Sequence, residues 1–209
     1  SIADLTEHYD AVLLAGGSTI PRDLKIPGRE LKGVHFAMDF LEQQNRRVYG
    51  ERISKENEII ATDKNVVVIG GGDTGSDCVG TSNRHRAASV TQIELLSKPP
   101  QDRDESTPWP LWPMQLRTSS SHKEGGMRHW SILTKEFIGD KKGNLEALKI
   151  VDIKWQKNTD SRKYEFKEIA HTERITKCEL ALLAVGFLHP QHEGMLKQLE
   201  LELTQRAVS

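Results

Sequence analysis

Apolar and polar positions along the chain fall into blocks whose period predicts the elements. Tyr9 to Ser18, "YDAVLLAGGS", is an apolar run closed by two glycines, the pattern of a strand buried on both faces of a parallel sheet and running into a tight turn. Pro21, Pro27 and Gly28 punctuate the loop that follows. From Val34 to Val48, apolar Phe36, Ala37, Phe40, Leu41 and Val48 recur at helical spacing against Asp39, Glu42, Gln43 and Arg46, so this stretch is expected to be an amphipathic helix. Residues 49–64 are polar and densely charged and read as a mobile linker. Val66 to Ile69 is a second apolar run, Thr74 to about His85 a helix with a small face of Gly75, Cys78, Val79 and Ser82, and Ser89 to Leu96 a third strand.

The second half has a different rhythm. Pro99 to Pro113 holds five prolines and two tryptophans and excludes a regular helix or a central strand. Residues 119–126 continue as polar loop. Trp130 to Ile138, Leu145 to Trp155 and Lys163 to Ile169 are strand-like runs separated by the turn formers "GDKKGN" and "KNTDS", which predicts an antiparallel meander. "CELALLAVGF", Cys178 to Phe187, is a last buried strand ending at a glycine. It echoes the first run: Asp10 to Gly17 and Glu179 to Gly186 share an acid, then Leu-Leu-Ala, then a closing glycine. The two copies are expected to be equivalent strand ends that bracket the middle of the chain.

Chemistry concentrates at "VVVIGGGDTG". Gly70, Gly72 and Gly75 spell G-x-G-x-x-G between a strand and a helix, inside a β-α-β unit of about 30 residues. Gly70 allows a sharp turn, Gly72 lets a pyrophosphate approach the backbone, and Gly75 permits close packing of helix on strand. A helix starting near Asp73 or Thr74 points unpaired N–H groups at that anion. The cofactor-binding set therefore begins with Gly70, Gly71, Gly72, Asp73, Thr74 and Gly75. Glu94 follows Gly75 at the spacing where an acid accepts from a ribose hydroxyl and repels a 2′-phosphate; a solvent-facing strand residue is the alternative. The fold class this predicts is α/β: a Rossmann-like FAD/NAD(P)-binding fold with a parallel sheet, flanking helices and an added three-stranded antiparallel β-meander.

Charge and composition narrow the partners. Lys plus Arg (29) nearly balance Asp plus Glu (30) over 209 residues, so no global field favours nucleic acid or an anionic membrane. The longest apolar runs, such as Leu180 to Val185, are strand-sized, and the N-terminal "SIADLTEHYD" is no signal peptide. A soluble protein in a reducing, cytoplasmic setting is expected. The two cysteines, Cys78 and Cys178, form no C-x-x-C; Cys78 reads as packing rather than as a reactive thiol. The histidines, His122 and His129 among them, show no metal-ligand spacing, and no G-x-S-x-G or catalytic triad is present. Trp109 and Trp112 are expected either to cover a cofactor or dock a domain, or to pin their loop to its own core.

Together "IPGRELKGVHFAMDFL", "VVVIGGGDTGSDCVGTSNRH", "SVTQIELLSKPP", "STPWPLWP", "LTKEFIGDKKGNLEALKIVDIKW" and "ELALLAVGF" resemble the pyridine-nucleotide-binding part of the small (β) subunit of glutamate synthase, over nearly the whole chain. Flavoprotein reductases with two dinucleotide-binding domains share the glycine loop and the bracketing strands. The resemblance implies an oxidoreductase in which NADH or NADPH reduces FAD and electrons pass through an iron–sulfur domain to the large, glutamate-forming subunit. It implies that Ala15 to Gly17 and Ala184, Val185 and Gly186 are crossings to an FAD domain, the latter three close to the nicotinamide.

Against the family pattern, no second glycine motif and no cysteine cluster stand in this chain. The expectation is one NAD(P)H-binding domain over 1–209, cut from a longer protein, with 1–33 and 178–209 leading to the absent FAD domain and 49–64 as linker. FAD is expected in the parent protein and not on this fragment, whose isolated form would be inactive. Leu95 and Leu96 stand where NADPH-using members carry an arginine pair, and with Glu94 they favour NADH; Arg84, Arg86 and Lys98 keep a cationic alternative open. Hydride transfer needs positioning more than acid–base help, so no catalytic residue is named. A non-enzymatic nucleotide-sensing module, or the electron-input domain of a dihydropyrimidine dehydrogenase-type reductase, are the alternatives.

Overall fold

The computed structural model describes residues 2–158 and 164–204. These divide into two compact units, one within Leu24–Val185 and a smaller one made of residues 2–23 with 186–204. Among the described residues no helix is long and apolar enough to cross a membrane.

The large unit is built on a five-stranded sheet whose paired strands all run parallel, in the order β1 (Val34–Phe36), β9 (Leu180–Leu183), β2 (Asn65–Ile69), β3 (Ser89–Glu94), β4 (Met127–Trp130). Helices α2 (Ala37–Val48) and α3 (Asp73–Arg84) pack on one face. The other face carries an antiparallel sheet of β5 (Ile132–Gly139), β6 (Leu145–Lys157), β7 (Tyr164–Glu168) and β8 (Arg174–Lys177). Alternation inside the apolar runs explains this three-layer arrangement. Val66, Val68, Leu180 and Leu182 join Phe40, Cys78 and Val79 under the helices, while Val67, Ile69, Ala181 and Leu183 join Phe137, Leu148 and Ile150 under the antiparallel sheet. A strand with both faces covered has no solvent side, so it carries no polar alternation.

Several expectations change. The helix predicted from Val34 begins at Ala37, because Val34–Phe36 pair with Ala181–Leu183 as β1. The meander has a fourth strand, β8, which runs beside the first half of β6 on the edge that β7 continues. Trp130 belongs to β4 in the parallel sheet, and Ser131, with φ 57°, turns the chain into β5. Inside the polar loop at 119–126 a short helix, α4 (Ser120–Lys123), forms under a Ser119 cap. The predicted strand start at Lys163 and most of "KNTDS" lie outside the described residues. Residues 49–64 contain no helix or strand, yet Ile59 and Ala61 within them are core residues.

The smaller unit holds α1 (Ile2–His8) and α5 (Met195–Gln198). Its expected strand does not form: residues 11–19 have no regular structure and Leu13 is 92 % exposed. Of the two echoing segments only the second supplies a strand, because it has β1 and β2 on either side to take its backbone N–H and C=O groups. Ile20 and Leu188 do pair backbones within the unit, around an isolated bridge of Pro21 with Phe187.

Candidate functional site

Strand β2 ends at Ile69, and the chain turns sharply at Gly70, whose φ of 124° excludes most side chains. A Cβ there would also run into the backbone carbonyl of Ala184 at the end of β9. The turn is held by Gly70 N–H donating to the Ile93 carbonyl (2.8 Å) and by Gln92 Nε2 donating to the Gly70 carbonyl (2.8 Å). Gly72 is the N-cap of α3, extended and open: nothing lies within 4 Å of the position its Cβ would take. No side chain caps the helix, so its first N–H groups face that space, the requirement for an anion. Gly75 is buried, and a Cβ on it would strike the Gly70 carbonyl and meet Gln92 Nε2 at 2.7 Å. Open space at the second glycine and none at the first and third is the steric pattern that a pyrophosphate cradle requires.

Glu94, at the end of β3, reaches this loop. Its Oε2 accepts from the Gly71 N–H, and its Oε1 accepts from Leu96 N–H at 3.0 Å. A carboxylate has about four lone-pair sites, so acceptor capacity remains for ribose hydroxyls. The structure thus brings together Gly70, Gly71, Gly72, Asp73, Thr74, Gly75, Glu94 and Ala184. Asp73 is exposed and Thr74 half-buried on the first turn of α3. Ala184 N–H extends the ladder of β9 onto the Ile69 carbonyl (2.8 Å), and the Val185 N would lie 3.3 Å from a Gly70 Cβ. Leu95 enters through its carbonyl, which accepts from the Trp155 indole N–H at 2.9 Å. Gly186 belongs to the smaller unit; its φ is 85° and its carbonyl accepts from Arg22 N–H at 2.9 Å.

The cations left open by the sequence separate cleanly. Arg84 and Arg86 lie at the far end of the 12-residue α3, about 18 Å from its N-terminus at the usual rise. Arg84 is paired there with Glu124 at 2.5 Å, and the Arg86 carbonyl accepts from Asp63 N–H, next to the start of β2. Lys98 lies over the Trp130 ring, 5.1 Å from its centroid, and Trp130 is the register partner of Glu94.

Both cysteines are buried and free, and burial pushes each thiol up to about 12, so neither supplies thiolate. Trp109 and Trp112 are 82 % and 76 % exposed, which removes the expectation that they pin the loop to its own core. Arg117 stacks on the Trp112 ring at 4.1 Å. Periodicity alone missed Gln92 and Trp155. The signal for Gln92 was present, since a glutamine inside a buried strand must have partners for both ends of its amide; Trp155 carried none, because its partner is a backbone carbonyl 60 residues away.

Comparison with known proteins agrees with this geometry. The chain is 45 % identical over 200 residues to a glutamate synthase [NADH] of Schizosaccharomyces pombe, covering 93 % of this chain and 9 % of that protein. It is 42 % identical over 209 residues to a glutamate synthase [NADPH] small chain of Mycobacterium tuberculosis, covering 99 % of this chain and 41 % of that one. The chain therefore spans well under half the length of these relatives. Among solved structures, FprA of M. tuberculosis, an oxidoreductase, superposes with a TM-score of 0.60 at 17 % identity, covering 92 % of this chain and 53 % of that one. T. acidophilum thioredoxin reductase superposes at 0.54 and 18 %, covering 91 % and 48 %. At such identities these structures speak for the fold, a Rossmann-like architecture of nucleotide-binding oxidoreductases. The profile described as pyridine nucleotide-disulphide oxidoreductase matches residues 3–110, just over half the chain and including the whole glycine loop, β3 and Glu94, and the chain belongs to that family.

Proposed function

We propose that this chain is the NAD(P)H-binding part of a glutamate synthase-type oxidoreductase and that it prefers NADH. The observation that carries the reading is the open, uncapped N-terminus of α3 at Gly72 with the Glu94 carboxylate beside it. Backbone N–H groups of Asp73 and Thr74 would hold the pyrophosphate, and Glu94 the adenine ribose. Gly70 and Gly75 keep the loop tight. Ala184 and Val185 would lie toward the nicotinamide end, and Leu95, fixed by Trp155, toward the adenosine end.

Bound NAD(P)H supplies a hydride, which in the parent protein goes to FAD. The chain's own contribution is to bind and orient the nucleotide. Its partners would be the FAD and iron–sulfur domains of a longer protein and the large, glutamate-forming subunit, in keeping with relatives named glutamate synthase that extend far beyond the matched part. The unit boundaries at Asp23/Leu24 and Val185/Gly186 fall within the stretches read as crossings to an FAD domain, which supports that arrangement. A cytoplasmic setting follows from the same reading.

Titration of the chain with NADH and NADPH, followed by tryptophan fluorescence, tests this directly, since Trp130 and Trp155 adjoin Glu94 and Leu95. A response to neither nucleotide would end the cofactor reading. Glu94→Gln is the informative variant for the preference. It retains an acceptor for the Gly71 N–H and removes the charge, so the NADH-to-NADPH affinity ratio should fall about tenfold, or roughly 1.4 kcal/mol. An unchanged ratio would remove Glu94 from the ribose role.

A further inference from the structure

Behind the glycine loop runs a line of hydrogen bonds that nucleotide contact does not explain. Gln92, 2 % exposed, donates through Nε2 to the Gly70 carbonyl, and its Oε1 lies 2.9 Å from His122 Nε2. On the other side of the imidazole, Nδ1 lies 3.2 Å from the Ser119 backbone N and 3.0 Å from the Ser119 hydroxyl. That hydroxyl accepts from the His122 backbone N–H at 3.3 Å and meets the hydroxyl of Ser76, in the second turn of α3. The line therefore grips the loop on both sides, at Gly70 before it and at Ser76 after it.

One proton arrangement fits. The Gln92 amide gives its N–H to Gly70, so its oxygen faces His122 and needs a donor, which makes Nε2 an N–H. The Ser119 backbone N–H can only donate, so Nδ1 must keep its lone pair. His122 is therefore the neutral Nε2–H tautomer. A proton on Nδ1 would strip Ser119 N–H of its acceptor and turn the Ser119 hydroxyl toward the imidazole as an acceptor.

We propose that His122 is a positioning residue of the nucleotide site: through Gln92 and Ser119, its neutral imidazole holds Gly70 and the start of α3 in the geometry that binds the dinucleotide, and acid releases it. This rests on the NAD(P)H reading. Burial, then the Arg128 guanidinium, holds the imidazole below its ordinary value of 6.5. The neutral form is thus complete at neutrality and is lost as pH falls below 6.5 through the lowered folded value. The charge that acts on the imidazole is Arg128 on β4, the register partner of Gln92; Lys123 is its neighbour on α4, Arg84 on α3 is paired with Glu124, and on β3 the Glu94 carboxylate follows Gln92 by two residues.

The experiment is NADH titration of the full chain from pH 5 to 8, in wild type, His122→Ala and His122→Gln. Wild-type affinity should be flat above pH 7 and fall about tenfold toward pH 5, and His122→Ala should be about tenfold weaker at pH 7.5 and flat throughout. His122→Gln, which can still donate to Gln92 and accept from Ser119, should stay within about threefold of wild type at pH 7.5 and lose the acid limb. Wild-type affinity in His122→Ala, or the same acid limb in His122→Gln, would overturn the proposal and leave the nucleotide reading standing. Absence of NADH and NADPH binding by the wild type at every pH would overturn both. Protection of the Gly71 to Gly75 amides from hydrogen exchange is a second readout, should His122→Ala fold poorly. It should drop in wild type at pH 5.5 and persist in His122→Gln; equal protection in the two would overturn the relay.

Discussion

Leu182 is wholly buried, whereas Leu13, its counterpart in the echoing segment, is 92 % exposed. Both stand in the sequence of an acid, Leu-Leu-Ala and a closing glycine. Around Leu182 the backbone pairs with β1 on one side and β2 on the other, and both faces of the strand are covered. The acid ahead of it, Glu179, accepts from the Asn65 backbone N–H (2.7 Å) and side-chain amide (2.9 Å) and pairs with Lys177 (3.0 Å). Segment 10–17 has no strand pairing, and nothing lies within 4 Å of the Cβ positions of Gly16 and Gly17. An apolar run expresses a capacity for burial; neighbouring strands turn that capacity into a strand.

Substitutions in the two copies should separate accordingly. Leu182→Ala should cost about 2–5 kcal/mol in chemical denaturation, whereas Leu13→Ala should stay within about 0.5 kcal/mol. Equal losses would mean that the first copy is also buried in solution. Next come the glycines. Gly70→Ala faces roughly 1–3 kcal/mol of backbone strain, with the Ala184 carbonyl as an additional obstacle, and should abolish nucleotide binding. Gly16→Ala, in open space and without a positive φ, should leave both stability and binding unchanged. A Gly70→Ala variant that binds NADH normally would disprove the placement of the loop.

The smallest difference concerns the acids. Burial pushes the Glu179 carboxyl up, but the Asn65 hydrogen bonds and Lys177 outweigh it and hold the group below its ordinary value of 4.5. Its stabilisation is therefore full above pH 4.5 and is lost as pH falls through the lowered folded value. The urea midpoint should drop less steeply below pH 4.5 in Glu179→Gln than in wild type.

Much of the site could be read in the chain because its determinants are local. Gly70, Gly72 and Gly75 lie within six residues, the strand before them and the helix after them have clear periods, and Glu94 follows at a spacing set by one helix and one strand. What escaped was of two kinds. Strands β4 and β8 are short edge pieces with mixed polar residues, so their sequences carry no period, and they exist only because Thr91–Glu94 and Ala147–Ile150 offer them unpaired backbone. Arg84 and Arg86 looked usable for a phosphate in sequence, yet the length of α3 carries them to the wrong end of the sheet.

By itself, then, the sequence determined the β-α-β unit, the glycine positions at which a Cβ is excluded or unwanted, and the acid that could read a ribose, because each depends on spacing within one supersecondary unit. Tertiary structure decided which of two matching apolar segments became the central strand, which cations stand near the loop, and that Gln92, His122 and Ser119 form one line behind Gly70. Those outcomes depend on which backbone and side-chain groups meet across large separations in sequence, and hydrogen-bond partners chosen at that range leave no period in the chain to read.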